Sequence, residues 1–214
     1  MHRRLGQNDE AQRWYEKAIE VYPELPGPYN NIGNINYEKQ EYEEAIEWYE
    51  RGAQLSQGRV SVQLPVSYMV LERYPEAVDT FRRLVEVHPG DLYNAMMYII
   101  CLHLAGERAE AREQTALQAT TLGDDAWIAP VIRFFAGEIS DEGVLKGAEA
   151  EDPEKDNEQK CEAYYYLGMA HLLGVHDGVE PDTTSAMKYF EKCVSTGVEH
   201  FMEFKLARQM LESP

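Results

Sequence analysis

Basic residues are scarce in this chain: 20 Lys and Arg stand against 38 Asp and Glu, a formal net charge of −18 over 214 residues. Duplex nucleic acid is held by Lys and Arg that neutralise its phosphates, so the balance excludes it as an expected partner. It equally excludes attraction to an anionic membrane surface. Long apolar runs are missing too, and none approaches the roughly 18 residues of a membrane-spanning helix. Met1-His2-Arg3-Arg4-Leu5-Gly6-Gln7 has no apolar stretch behind its charges, so no signal peptide is read in this chain. Cysteine is sparse. Cys101, Cys161 and Cys193 are odd in number and widely separated, which suits buried thiols in a reducing compartment better than a disulfide framework. A glycine-rich phosphate loop is absent as well.

What is present is 44% hydrophobic residues and 14 Tyr, enough for a folded core. It is also periodic. Ala11-x3-Tyr15 reappears as Ala45-x3-Tyr49 at an offset of 34, then as Ala77-x3-Phe81 after 32 and Ala111-x3-Thr115 after 34. A further copy, Ala186-x3-Phe190, comes much later. Tyr29-x2-Ile32-Gly33 and Tyr164-x2-Leu167-Gly168 precede two of the copies, and Pro23 and Pro89 close two units. Small residues at Gly33, Ala45, Gly168 and Ala186 permit paired helices to approach closely, and Tyr49, Phe81 and Phe190 are expected to fill the space between repeats. Pro28 suits a helix start, and Leu25-Pro26-Gly27-Pro28 and His88-Pro89-Gly90-Asp91 punctuate helices. Pro65 stands where the repeat has its Gly, which predicts a kinked helix over 59–71.

This pattern resembles the tetratricopeptide repeat (TPR), with its aromatic, Leu-Gly, Ala, Phe and Pro at a 34-residue period. The resemblance implies an all-α fold: a right-handed superhelical solenoid of antiparallel helix pairs ending in a C-terminal capping helix. Repeats one to four occupy 1–123, with the first lacking most of its leading helix. A solenoid that starts mid-repeat exposes its core, so the chain reads as a piece of something longer. From 124 to 153 the period lapses: Asp124 or Asp125 opens a helix ending at Gly137, and Ser140 starts another. The stretch 149–162 holds seven acids against two lysines, a solvated loop or acidic helix start. A fifth TPR-like repeat and the capping helix, from His200 to Glu212, fill 154–214, with a loop at 175–184 stretching that repeat.

Trp127 to Ser140, Tyr164-Tyr-Tyr-Leu-Gly168, Ala186-x3-Phe190 and Val194-x3-Val198-Glu-His-Phe-x-Glu203 carry a narrower likeness. Together they resemble the C-terminal part of the NlpI-type bacterial TPR lipoproteins. That resemblance implies a homodimeric adaptor, outer-membrane-associated or periplasmic, that brings a protease to peptidoglycan hydrolases. It also requires that an N-terminal lipoprotein signal has been removed. Without it the chain reads as a cytoplasmic co-chaperone or assembly scaffold, or as the regulatory TPR region of a larger enzyme.

Candidate chemistry is thin. Cys101 sits in an apolar helix, Cys193 takes a small-residue place in its repeat, and His171 and His176 lack zinc-ligand spacing around Cys161. The loop Asp177-Gly-Val-Glu-Pro-Asp182 lacks the alternating ligands and closing Glu of a calcium loop. The expectation is no enzyme, no cofactor and no metal. Function is expected on the inner face formed by the first helix of each repeat: Asn30, Asn31, Asn34 and Tyr37 in repeat two; Arg59, Val62, Gln63 and Val66 in repeat three; Tyr93, Met96, Met97, Ile100 and His103 in repeat four. Asparagines pair with an extended peptide backbone through both donors and an acceptor, and Met adapts to irregular partners. The resemblance to TPR proteins that clamp a C-terminal carboxylate with Asn and Lys or Arg on neighbouring first helices is partial: Asn34 and Arg59 fit it, but Gln63 stands where it implies a second cation. In repeat five, Tyr165, Tyr166 and Met169 offer a second apolar patch; Tyr164-Tyr165-Tyr166 cannot all face one side of a helix, so at least one is expected to be exposed, and a core or covered position is the alternative for the patch. The alternative for Met96, Met97 and Ile100 is packing against a neighbouring helix or a second subunit. The partner expected is a protein or peptide.

Overall fold

The computed structural model describes residues 2–56, 59–121, 126–176 and 178–212, with side chains from Asn8 onward. Among these residues are twelve α-helices and no strand. The chain divides into two compact units, Met1–Cys101 and Leu102–Pro214.

The first unit holds α1 (His2–Val21), α2 (Pro26–Glu38), α3 (Tyr42–Leu55), α4 (Gln63–Val70), α5 (Tyr74–Val87) and most of α6 (Leu92–Leu104). Here α2 pairs with α3 and α4 with α5, while α1 packs on α2 and α3 on α4. The core is made by the residues that carry the repeat: Ile32, Ala45, Tyr49, Ala77 and Phe81 have no or almost no exposed surface. Prolines punctuate as their missing N–H requires, in the first turns of α2 and α5. Pro65 obeys the same rule and corrects one expectation. The helix begins at Gln63 rather than Arg59, so Pro65 falls in its first turn and no kink is needed; residues 59–62 are outside the helix.

The second unit continues with α7 (Arg108–Thr121), α8 (Ala129–Phe135), α9 (Asp141–Gly147), α10 (Pro153–Leu173), α11 (Thr183–Ser195) and α12 (Met202–Glu212). The suggested caps Asp124 and Asp125 lie outside the described residues. Asp152 caps α10, its Oδ1 accepting from the Glu154 and Lys155 amides at 2.9 and 3.0 Å. Gly174, at φ 55°, ends it, and Arg108 donates to the freed Leu173 and Gly174 carbonyls. The acidic stretch therefore begins a helix. The long connection to α11 is closed by the Asp182 amide on the His171 carbonyl at 2.8 Å.

Four helix-to-helix turns share one backbone solution. The amides of Glu41, Arg73, Glu107 and Glu138 bond to the carbonyls of Asn36, Tyr68, Leu102 and Arg133 at 2.8–2.9 Å. Just before each donor a residue turns left-handed: Gln40 (φ 64°), Glu72 (57°), Gly106 (80°) and Gly137 (77°). This closure satisfies a carbonyl that the helix end leaves orphaned. The turn at Gly137 joins α8 to α9, so a short helix pair persists where the sequence period lapses.

Each unit contains one pair built on a glycine and a ring. A Cβ added at Gly33 would lie 2.6 Å from Tyr49 Cε1, and one added at Gly168 would lie 2.5 Å from Phe190 Cε1. Only a residue without Cβ lets α2 meet α3, and α10 meet α11, at this depth.

Candidate functional site

The first helix of each pair is where the repeat pattern places function, and the structure divides those helices into two kinds. On α2, Asn30, Asn31, Asn34 and Tyr37 are half-buried. Asn34 Oδ1 accepts from the Tyr49 hydroxyl at 2.7 Å, which fixes its amide at the edge of the face. Asn30 lies closer to the pair interior, its Oδ1 beside Gly52 and without a hydrogen-bond partner. Tyr37 stands edge-on to Tyr42 at 5.5 Å. Val62 and Gln63 are half-buried at the start of α4, and Ser61 donates to the Gln63 side chain at 2.5 Å. Arg59 is exposed, and Tyr93 is 41% exposed. These side chains mix amides, one cation and aromatic surface, and α2 contacts α4 directly.

The rest of the expected face is closed. Val66, Met96, Met97 and Ile100 are at most 1% exposed, so they pack rather than bind. From Asn94 to His103 every residue of α6 is buried, as a helix apolar on all sides must be. His103 is buried with them. Burial, then the nearby Arg108, Arg112 and His176, push its imidazole down to about 4, and its Nδ1 has no hydrogen-bond partner. It is a neutral ring at physiological pH.

In repeat five the second patch takes its covered alternative. α8, α9, α11 and α12 all pack on α10, so Tyr165, Tyr166 and Met169 are at most 1% exposed and only Tyr164 keeps partial exposure. Tyr166 donates to Glu203 of α12 at 3.2 Å. Tyr164 stacks on Tyr189, and the Tyr189 hydroxyl and His171 Nε2 meet Asp141 Oδ2 at 2.6 and 2.8 Å, tying α9, α10 and α11 together.

Tyr166 interacts with a buried acidic pair, Glu162 and Glu203, of which the acidic stretch 149–162 had placed Glu162 in solvent. Glu162 is pushed up to about 8 by burial first, then by Glu203 and Cys161, against a hydrogen bond from Trp127. Burial raises Glu203 as well. The sequence signal was available: an acid four residues before Tyr166 falls on the same buried helix face.

Two clefts lie away from the expected residues. One of about 410 Å³ in the first unit is lined by Glu50, Leu64, Tyr68, Glu76, Asp79 and Arg83; one of about 540 Å³ in the second is lined by Trp127, Arg133, Asp152 and Lys155. Tyr68 donates to Glu50 within the first. Among the described residues, no three His, Cys, Asp or Glu side chains gather as a metal ion requires, and no helix is long and apolar enough to cross a membrane.

Paired antiparallel helices joined by a common turn, with polar first-helix side chains, define an α-helical repeat protein. Family models for the tetratricopeptide repeat match residues 1–58 and 66–126, together more than half of the chain, and the chain belongs to the TPR proteins. The Sel1 repeat model matches 161–192, the α10–α11 pair with its stretched connection. Among solved structures, the chain is similar to YrrB, described as a TPR protein with an unusual peptide-binding site: 18% identity, 95% of this chain and 85% of that one, TM-score 0.50. It is also similar to a TPR protein from Parabacteroides merdae, at 16% identity, 98% and 80% coverage and TM-score 0.55. At these identities the likeness is one of fold. No curated protein matches the chain.

Proposed function

We propose that this TPR protein is an interaction scaffold whose partner-binding face is confined to the first unit, on α2 and the start of α4. One observation carries the reading. Asn31, Tyr37, Val62 and Gln63 keep accessible surface at the inner-face steps, whereas on α6 every equivalent step but Tyr93, and on α10 Tyr165, Tyr166 and Met169, are buried. Asn31 and Gln63 offer donors and acceptors to an extended main chain, Tyr37 and Val62 offer apolar contact, and Arg59 offers one cation. The large negative net charge favours a neutral or basic partner and makes association salt-sensitive.

A peptide array probed with wild-type protein and with the Asn31→Ala/Gln63→Ala double variant tests this. The expected outcome is at least a tenfold loss of signal on extended peptides in the variant; unchanged signal on the same peptides rejects the face. The narrower reading, an NlpI-like homodimeric adaptor for a cell-wall protease system, is supported by the residues after Trp127, which fall in α8, α10, α11 and α12. A monomer mass by light scattering at micromolar concentration counts against it.

A further inference from the structure

Cys161 on α10 and Cys193 on α11 face each other, and their Sγ atoms lie 3.4 Å apart with no exposed surface on either residue. The internal repeat says independently that these two positions must meet. Counting from the shared Tyr and Gly, Cys161 of α10 stands where Pro26 stands in α2; counting from the shared ring, Cys193 of α11 stands where Gly52 stands in α3. In that first-unit pair a Cβ added at Gly52 would lie 3.5 Å from the Pro26 carbonyl. The glycine–ring contact that brings α2 onto α3 is repeated at Gly168 and Phe190, so the short cysteine distance follows from how the helix pair is built. We propose that Cys161 and Cys193 form a redox-modifiable dithiol that hydrogen peroxide converts to an intrachain disulfide across the α10–α11 pair.

The chemistry assigns the two sulfurs different roles. A hydrogen bond from Cys193 holds the Cys161 thiol below its ordinary range against burial, and Thr196 adds a second such bond; Cys193 is held well above its range by the same bond and by burial. Accepting that bond favours loss of the Cys161 proton, which makes Cys161 the nucleophile of the pair. It attacks one peroxide oxygen and the O–O bond breaks. The departing hydroxide takes up the proton that Cys161 released, and a sulfenic acid remains on Cys161. Cys193 Sγ then attacks Cys161 Sγ; the S–O bond breaks and the oxygen leaves as water with the Cys193 proton. Two thiols and one peroxide become one disulfide and two waters, the sulfurs losing two electrons and the peroxide gaining them. The sulfurs must close from 3.4 Å to about 2.05 Å. Cys101, whose Sγ meets the Tyr74 carbonyl at 3.8 Å, is an internal reference that keeps its thiol.

The test treats the reduced 214-residue chain with hydrogen peroxide, removes the oxidant with catalase, unfolds the protein, alkylates it and measures its mass. Alkylatable thiols should fall from three to one. The peptide containing Cys161 should be joined to the one containing Cys193, and a dithiol reductant should restore all three. The oxidised chain should also melt at a higher temperature, because the cross-link restrains the unfolded state. Retention of three thiols, sulfinic acid at Cys161 without a cross-link, or dimers joined through Cys101 would each overturn the proposal. Cys193→Ser should abolish the cross-link and leave a Cys161 sulfenic acid that dimedone traps. Should that variant fail to fold, Cys101→Ser provides the converse, two thiols falling to none. No partner is needed for this readout, so it stands apart from the fate of the binding face.

Discussion

The α2–α3 pair of the first unit and the α10–α11 pair of the second are the same object in different company. Each sets a glycine against a ring, Gly33 on Tyr49 and Gly168 on Phe190. The difference lies on the other side of the first helix. α2 contacts α1, α3 and α4 and keeps a polar, half-open flank, while α10 is surrounded by α8, α9, α11 and α12. The repeat motif therefore determines how a pair closes, and the neighbours determine whether its inner face remains available. A motif match alone identifies the first property and is silent on the second.

The largest effect should come from removing the ring that both pairs share. Phe190 is fully buried, and Phe190→Ala leaves a cavity lined by the two helices, at a cost of about 3–5 kcal/mol. Tyr49→Ala should cost the same within error if the pairs are equivalent. Chemical denaturation of both variants checks this, and a loss below about 1 kcal/mol in either breaks the equivalence.

The second comparison is electrostatic and belongs to the second unit. Glu162 is held near 8 when folded against an ordinary 4.5, so the folded chain binds the proton more tightly. Its stabilising effect is fully present below the unfolded value of about 4.5 and is lost as pH rises through the folded value of about 8. At about 1.4 kcal/mol per pKa unit, the loss amounts to a few kcal/mol. Glu203, which faces Glu162 and is raised in the same direction, adds to the slope. Melting curves from pH 5 to 8.5 should fall for wild type and flatten for Glu162→Gln. Parallel curves for the two proteins reject this account.

The glycines come next. Gly33→Ala and Gly168→Ala drive a methyl into rings at 2.5–2.7 Å, which overpacks each pair by about 1–3 kcal/mol. Thermal melts should show similar losses for both. A loss confined to Gly168→Ala would mean that the crowded surroundings of α10, not the pair itself, resist the change.

Much of this was legible in the sequence, for reasons that residue periods explain. Ala45, Tyr49, Phe81, Ala186 and Phe190 were identified as packing positions by spacing, and all are buried. The glycine–ring contacts were not read there: the rings were expected between repeats, and the structure sets Tyr49 on Gly33 and Phe190 on Gly168 within a pair. The closed faces were not legible, because a first-helix residue has the same period whether its outward side meets solvent or another helix. Only composition separates the cases: residues 95–102 of α6 read Ala-Met-Met-Tyr-Ile-Ile-Cys-Leu, with no polar side to present to a ligand, whereas α2 offers four asparagines. The helices α8 and α9 were both expected, but not that they form a pair with the shared turn, because they are too short for a 34-residue period; Gly137 marks that turn.

The smallest expected effect is the most direct on the binding face. Tyr49 differs from Phe190 by one hydroxyl, and that hydroxyl donates to Asn34 at the edge of the open flank. Tyr49→Phe makes the first pair chemically like the second. The cost should be about 0.5–1.5 kcal/mol, the net value of one hydrogen bond, because half-exposed Asn34 can turn to water. The freed amide then becomes available to a peptide main chain. Peptide-array signal should be kept or increased in Tyr49→Phe, whereas Asn34→Ala, which removes the amide, should reduce it. If both variants lower binding alike, the Tyr49–Asn34 bond holds Asn34 in the orientation a partner uses, and the open flank is preorganised by the same ring that closes the helix pair.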